Sequence, residues 1–221
     1  LPTPNTYRTA SGAPGHQYWQ QRADYVIDVE LDDAAQRITG TETVTYRNHS
    51  PDTLVYLWLQ LDQNVLAKGS DSALTSTAPT LDRNSFDQID GMLTRATFEG
   101  GHVIASVKDA KGQPLGFTIV KTMMRIDLRE PLAPGGVVSF SVAWSYNINN
   151  ARKIRSRSGY EFFEKDGNYL YAIAQWFPRM APYTDVNGWQ HKQFLGGGEF
   201  SLEFGDYLVR LTVPNDHVVA A

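Results

Sequence analysis

Tyr25-Val26-Ile27-Asp28-Val29-Glu30-Leu31 is the stretch that decides the fold class. It alternates apolar and acidic residues, the two-residue period of a strand with one buried and one wet face. A polar turn, Asp32-Asp33-Ala34-Ala35, leads into a Thr-rich second run from Ile38 to Arg47. Its β-branched residues Ile38, Thr39, Thr41, Thr43, Val44 and Thr45 suit a pleated sheet, so the pair reads as an antiparallel hairpin. Working outward, Thr53 to Leu61 is a more apolar strand, expected at a sheet centre or buried on both faces.

From Gln63 to Gly91 the pattern stops. The stretch is rich in Ser, Thr, Asp, Asn and Gly and carries Pro79, so a long loop over about 63–91 is expected, with room for a short helix near its start. Strand signals resume at Val103-Ile104-Ala105-Ser106-Val107. The turn Asp109-Ala110-Lys111-Gly112 then predicts a hairpin to Phe117-Thr118-Ile119-Val120. Met124 to Leu128 follows, closed by Pro131, and Val137 to Ile148 is the clearest amphipathic strand. Tyr169 to Trp176 and Phe200 to Val213 supply the last strands, and no dozen residues hold a 3.6-residue period. The expected fold is therefore all-β, an antiparallel β-sandwich over 23–221 preceded by an extended segment at 1–22.

Composition narrows the function classes. The 221 residues carry 20 basic and 24 acidic side chains, a formal net charge of −4, which gives no general pull toward nucleic acid or anionic membrane. No apolar run approaches the roughly 20 residues that cross a bilayer. With no cysteine there is no disulfide, thiolate zinc site or Cys nucleophile. His16, His49, His102, His191 and His217 are scattered, none paired at i, i+4, and read as surface or hydrogen-bonded structural residues. There is no G-x-S-x-G elbow and no Walker loop. Gly196-Gly197-Gly198 precedes a strand signal rather than a helix, so a tight turn is expected there and not a phosphate cradle. No catalytic and no metal-ligating residue is assigned to this stretch of chain.

Two stretches remain. Arg152-Lys153-Ile154-Arg155-Ser156-Arg157 puts four cations in six residues, an anion patch on one reading and a solvated loop after a strand on the other. Glu161, Glu164 and Asp166 follow closely enough to neutralise it, which favours the solvated loop. Tyr169 to Phe194 concentrates Tyr169, Tyr171, Trp176, Phe177, Tyr183, Trp189 and Phe194 around Gln175, Arg179, Asp185 and Gln190, broken by Pro178 and Pro182. Aromatic loops mixed with amides and a cation recognise ligands, and they equally plug the joint between two domains.

These residues carry a resemblance. The run from Tyr25 to Leu31, then Ile38 to Val44, Asn48-His49-Ser50 and Leu57-Trp58-Leu59-Gln60-Leu61, resembles the opening of the aminopeptidase N family of zinc metallopeptidases. Leu132-Ala133-Pro134-Gly135 before a strand ending Trp144-Ser145-Tyr146-Asn147-Ile148 resembles that family's next landmark. Ala174-Gln175-Trp176-Phe177-Pro178-Arg179 sits where the family has a Gln-containing loop, and Phe200 to Asp216 resembles the last strand of its N-terminal domain. The resemblance implies a saddle-shaped N-terminal β-sandwich that covers the active site of a zinc domain, with zinc held in that catalytic domain beyond residue 221. It also implies Gln175 beside the substrate's N-terminal end, a peptide as substrate and the parent's own catalytic domain as partner; Trp176, Phe177, Arg179 and Asp185 around Gln175 complete the candidate substrate-binding residues. Two positions after the Gln the family commonly has an acidic residue for the substrate's free amine. Phe177 stands there, which puts amine recognition, and the exopeptidase character of the parent, in question; Asp185 is the candidate replacement.

The ends fit that expectation: an opening at Leu1-Pro2-Thr3-Pro4 and an apolar finish at Val218-Val219-Ala220-Ala221 read as those of a fragment. A processed N-terminus points to an extracytoplasmic compartment, periplasmic or secreted, with cytoplasm left open. The rival reading is a stand-alone β-sandwich module binding a glycan or peptide through the aromatic loop 175–194. It requires Trp176 and Trp189 to line a solvated groove, whereas a covering domain requires a broad apolar surface shaped for a partner. A self-contained hydrolase is the third reading, and no nucleophile–base constellation supports it.

Overall fold

The computed structural model describes residues 3–77, 83–198 and 201–220. Strands account for 42% of it and helices for 10%, arranged as an all-β sandwich with no barrel. The chain order is β1 (Arg22–Asp32), β2 (Arg37–Arg47), β3 (Leu54–Gln60), a 3-10 turn (Asp62–Leu66), α1 (Asp71–Thr75), α2 (Phe86–Thr97) and β4 (Val103–Asp109). Next come β5 (Phe117–Val120), β6 (Met123–Leu132), β7 (Val137–Asn147), β8 (Gly159–Phe163) and β9 (Asn168–Ala172). Three short pieces, β10 (Arg179–Met180), β11 (Tyr183–Thr184) and β12 (Gly188–Trp189), precede β13 (Tyr207–Thr212). One sheet has the order β13-β1-β2-β7-β4 and faces a second, β10-β3-β6-β5.

The deciding stretch behaves as its alternation predicts. β1 and β2 form an antiparallel hairpin in unbroken register from Arg22↔Arg47 to Asp32↔Arg37. Tyr25, Ile27 and Val29 point inward beside Val44 and Tyr46 of β2 and Phe140, Val142, Trp144 and Tyr146 of β7. They meet Leu57 and Leu59 of β3 and Met123, Met124 and Ile126 of β6, a core close-packed from two facing sheets. Gly40 lies where the Trp144 indole crosses β2: a Cβ there would sit 2.5 Å from Trp144 Cζ2.

Three expectations need correction. The stretch at about 63–91 is not one long loop: its described residues include most of the 3-10 turn, α1 and the start of α2, while Pro79 lies outside the described residues. The twelve-residue α2 begins with a full capping box, in which the Ser85 hydroxyl accepts from the Gln88 N–H and the Gln88 side chain accepts from the Ser85 N–H. Asp109 Oδ1 does shape the expected turn, accepting from the N–H groups of Lys111 and Gln113. Yet β4 and β5 are not hairpin partners. After one bridge, Lys108↔Pro114, the chain crosses between sheets, so β4 pairs with β7 and β5 with β6. Finally, the strand expected from Tyr169 to Trp176 ends at Ala172, and the one expected from Phe200 begins at Tyr207. Phe200 itself lies outside the described residues.

Candidate functional site

The core-facing side of the larger sheet is not fully covered. β13 runs parallel to β1 with Tyr207, Val209 and Leu211 beside Tyr25, Ile27 and Val29, so these three share the inner face. The Tyr25 and Tyr207 rings stack at 4.8 Å, on one side of the sheet. Tyr25, Ile27 and Val29 are at most 6% exposed, whereas Tyr207, Val209 and Leu211 are 46%, 37% and 46% exposed. The difference comes from the facing sheet, whose edge on this side is β10, two residues paired to Leu59 and Gln60. The larger sheet therefore overhangs the smaller one by a strand with an apolar inner face, and Phe204 and Leu208 beside it are also exposed.

A concavity lies where β3 ends. It is a cleft of about 810 Å³ walled by the 3-10 turn (Asp62, Gln63), by α1 and α2 (Ser72, Met92, Arg95), by the 152–158 loop and by Gln175. Its size suits a small ligand or a few peptide residues. The wall beside Gln175 is built by a buried polar network. Gln63 Nε2 donates to Ser158 Oγ (3.1 Å), to Ala174 O (2.8 Å) and to Gln175 O (3.3 Å). Ser158 Oγ in turn accepts from the Ala174 N–H and donates to the Ala174 carbonyl. These bonds hold Gln175 at φ +54°, a left-handed backbone that a non-glycine residue occupies only at a cost of about 1–3 kcal/mol.

Beneath this wall the Arg179 guanidinium is paired with the Asp62 carboxylate, the two side chains being 11% and 1% exposed. Arg179 also donates to Gln60 Oε1 at 3.2 Å. Burial pushes the Asp62 carboxyl above its ordinary value, and the adjacent Arg179 works against that rise. The second wall is cationic. Asn150 Oδ1 accepts from the N–H groups of Arg152 and Lys153, Ile154 is buried, and Asn149 Nδ2 donates to the Ile154 carbonyl at 2.9 Å. With the loop anchored through Ile154, its cations Arg152, Lys153, Arg155 and Arg157 stay at the surface and line the cleft.

The five residues expected to bind substrate are thus separated. Gln175 lines the cleft; Arg179 reaches it indirectly through Asp62. Trp176 packs against Trp144 and Phe177, and Phe177 lies edge-on to Tyr25 at 5.5 Å, both against the core. Asp185 receives two hydrogen bonds from Arg8, at 2.7 and 2.9 Å, tying down the N-terminal segment, which Trp19 reinforces by stacking on Tyr183. Trp189 is 8% exposed, against Tyr46 and Tyr183. The basic loop is solvent-exposed and Arg152 pairs with Glu161, as the sequence reading favours, and the same exposed cations line the cleft. Its signal was the density of cations itself; what the sequence does not display is the opposing wall.

No protein-family model and no curated protein matches the chain. Among solved structures, the M1 zinc metallopeptidase of Deinococcus radiodurans is 12% identical, with a TM-score of 0.44, over 91% of this chain and 34% of that one. A mutant of that enzyme bound to a Tyr-Ser-Ala substrate gives a TM-score of 0.43 at the same identity and coverage. A two-domain M1 zinc metallopeptidase mutant bound to L-tryptophan gives 0.43, with 35% of its length covered. The chain spans about a third of the length of these structures. Among the described residues no three His, Asp or Glu side chains gather into a group able to hold a metal ion. The described residues of this chain do not fit a zinc centre.

Proposed function

We propose that this chain is a non-catalytic β domain of a zinc metallopeptidase, covering the catalytic body and shaping the mouth through which a peptide's N-terminal end enters. The observation that carries the reading is the overhang of β13. An inner sheet face bearing Tyr207, Val209 and Leu211 is built for burial, and at roughly 25 cal/mol per Å2 its exposure is costly unless another body lies on it. The family resemblance in the sequence, from Tyr25 to the strand at β13, names that body as the catalytic domain. Zinc and the groups that activate water belong there. This chain's own contribution is positional: the Gln63–Ser158 network holds Gln175 at the cleft wall, and Phe177 and Trp176 brace the next two residues against the core. Asp185, committed to Arg8, is not placed to receive the substrate amine; Gln175 is the residue of the five offered to a ligand.

The glycan- or peptide-binding module has less support, because Trp176 and Trp189 are packing residues and offer no solvated stacking platform. The reading frame past Ala221 in the source gene tests the proposal. An H-E-x-x-H with a downstream Glu supports it; a stop codon there sinks it. In a longer protein, Leu211→Asp provides the physical test. The half-exposed site should leave the melting of the 221-residue chain nearly unchanged, while peptidase activity of the longer protein falls as the interface is disturbed.

A further inference from the structure

Five cations line the cleft (Arg95, Arg152, Lys153, Arg155 and Arg157), against two carboxylates, Asp62 and Asp87. The local balance opposes that of the whole chain, whose formal net charge is −4. Asp62 is answered by Arg179 underneath. Lys153 pairs with Asp90 at 3.0 Å and Arg152 with Glu161 at 3.4 Å, both outside the cleft lining. Arg95 hydrogen-bonds the carbonyls of Val65 and Leu66 and meets no carboxylate among the described residues. Arg155, exposed at the cleft rim, has no partner among them. A concave wall of one sign with unspent cations concentrates an anion far better than a flat surface does. Beside it stands a second, independent feature. The side-chain amide of Gln175 has no hydrogen-bond partner among the described residues, although buried bonds fix its backbone in a strained conformation.

We infer that the cleft selects peptides carrying an acidic side chain: the carboxylate meets Arg95 and Arg155 while the Gln175 amide hydrogen-bonds the peptide backbone. The inference rests on the reading of this cleft as a peptide mouth and adds the substrate class. Arginine suits the task because its planar fork binds a carboxylate through two parallel bonds. Asp87, on the α2 wall, lies in the same cleft and repels a second acidic residue. The cleft therefore takes one acidic side chain, not an acidic run.

Calorimetric titration of the 221-residue chain with C-terminally amidated Ala-Glu-Ala and Ala-Gln-Ala tests this, because the two probes differ only in the side-chain charge. The Glu peptide should bind about tenfold more tightly or better, the worth of one charge-assisted hydrogen bond. That advantage should shrink in about 0.5 M salt. Arg155→Gln, at an exposed position where folding is unaffected, should bring the Glu peptide toward the affinity of the Gln peptide. Amide NMR shifts centred on Gln175 should accompany binding of either. Equal affinities with shifts at Gln175 would overturn the acidic selectivity while leaving a peptide mouth standing. Inorganic phosphate competing as strongly as the Glu peptide would assign the cleft to free anions and overturn the peptide class. Absence of binding by both peptides would overturn the inference outright, whereas the covering role is decided separately by the reading frame and by Leu211→Asp.

Discussion

Replacing Glu42 by Gln gives the sharpest test of how this core is held. Glu42 lies on the inner face of β2, between Ile27 of β1 and Val142 of β7, and is 1% exposed. Neither carboxyl oxygen has a hydrogen-bond partner among the described residues, and burial pushes its pKa well above the ordinary carboxylate range. In the unfolded chain Glu42 releases its proton near pH 4.3, about the value of a free glutamate. In the fold it keeps that proton to a higher pH. Between the two values the folded state binds more protons than the unfolded one, so stability is complete below the unfolded pKa and falls as pH rises. The slope is about 1.4 kcal/mol per pH unit, or roughly 3–6 °C in Tm for a chain of this size. Glu42→Gln keeps the shape and removes the titration. Urea unfolding of both proteins at pH 4, 5, 6 and 7 should show the variant gaining on the parent as pH rises above roughly 4.3, by up to about 1.4 kcal/mol per unit for as long as the folded Glu42 keeps its proton.

The comparison with the variant matters because His102 tilts the parent's own profile the other way. Its imidazole is buried edge-on to Trp144 and Tyr146, and burial pulls its pKa to about 3. An unfolded histidine takes up its proton below about pH 6.5, so His102 makes stability rise with pH from about 3 to 6.5, opposing Glu42 over their common window. Glu203, raised to about 7 by burial, adds to the Glu42 direction. Both groups are common to the two proteins and drop out of the difference. A stability gap that stays constant from pH 4 to 7 would refute the reasoning, since Glu42 would then be ionised in the fold.

Other substitutions test other joints. Gly40→Ala forces a methyl to within 2.5 Å of Trp144 Cζ2 and should cost about 1–3 kcal/mol, read as a drop in the urea midpoint with unchanged m. Arg179→Met strands the buried Asp62 carboxylate and should cost about 3–5 kcal/mol, with much of the loss recovered when Asp62→Asn is added. Gln175→Gly releases the left-handed strain at φ +54° and should stabilise the chain by about 0.5–1 kcal/mol while weakening peptide binding at the cleft.

Strand identity was legible wherever one face is buried and the other wet. β1, β2 and β7 announce themselves because Tyr25, Ile27 and Val29, like Phe140, Val142 and Trp144, recur every second residue. The crossing between β4 and β5 was not legible. The Asp109 turn is a local signal and was read correctly, but which sheet receives each strand is settled by distant pairings such as Val107↔Val142. The helix α2 escaped because it buries no residue: Phe86, Ile89 and Leu93 are exposed, so its Ser85/Gln88 capping box was its one firm mark. Within the aromatic run, the side chains have different roles in the fold. Trp176 and Phe177 are large because they fill the core; Gln175 is the one turned to the cleft. The basic loop was legible as charge and illegible as a wall, because α1, α2 and the 3-10 turn that face it come from residues 62–95.

The parallel pairing of β1 with β13 also sets a timetable. Arg210 and Asp28, which hydrogen-bond across that pair, are 182 residues apart. At the roughly 5–20 residues per second of protein synthesis, about 10–40 s pass between the appearance of β1 and that of its outer neighbour. Loop closure over such a separation is slow in refolding as well, so β13 is expected to dock late. During that interval the far edge of β1 is an open template for a strand of another nascent chain. The outward-facing Asp28 and Glu30 are what guard it, because repulsion between acidic side chains disfavours stacking β1 edges of two chains while leaving Arg210 of the proper partner welcome.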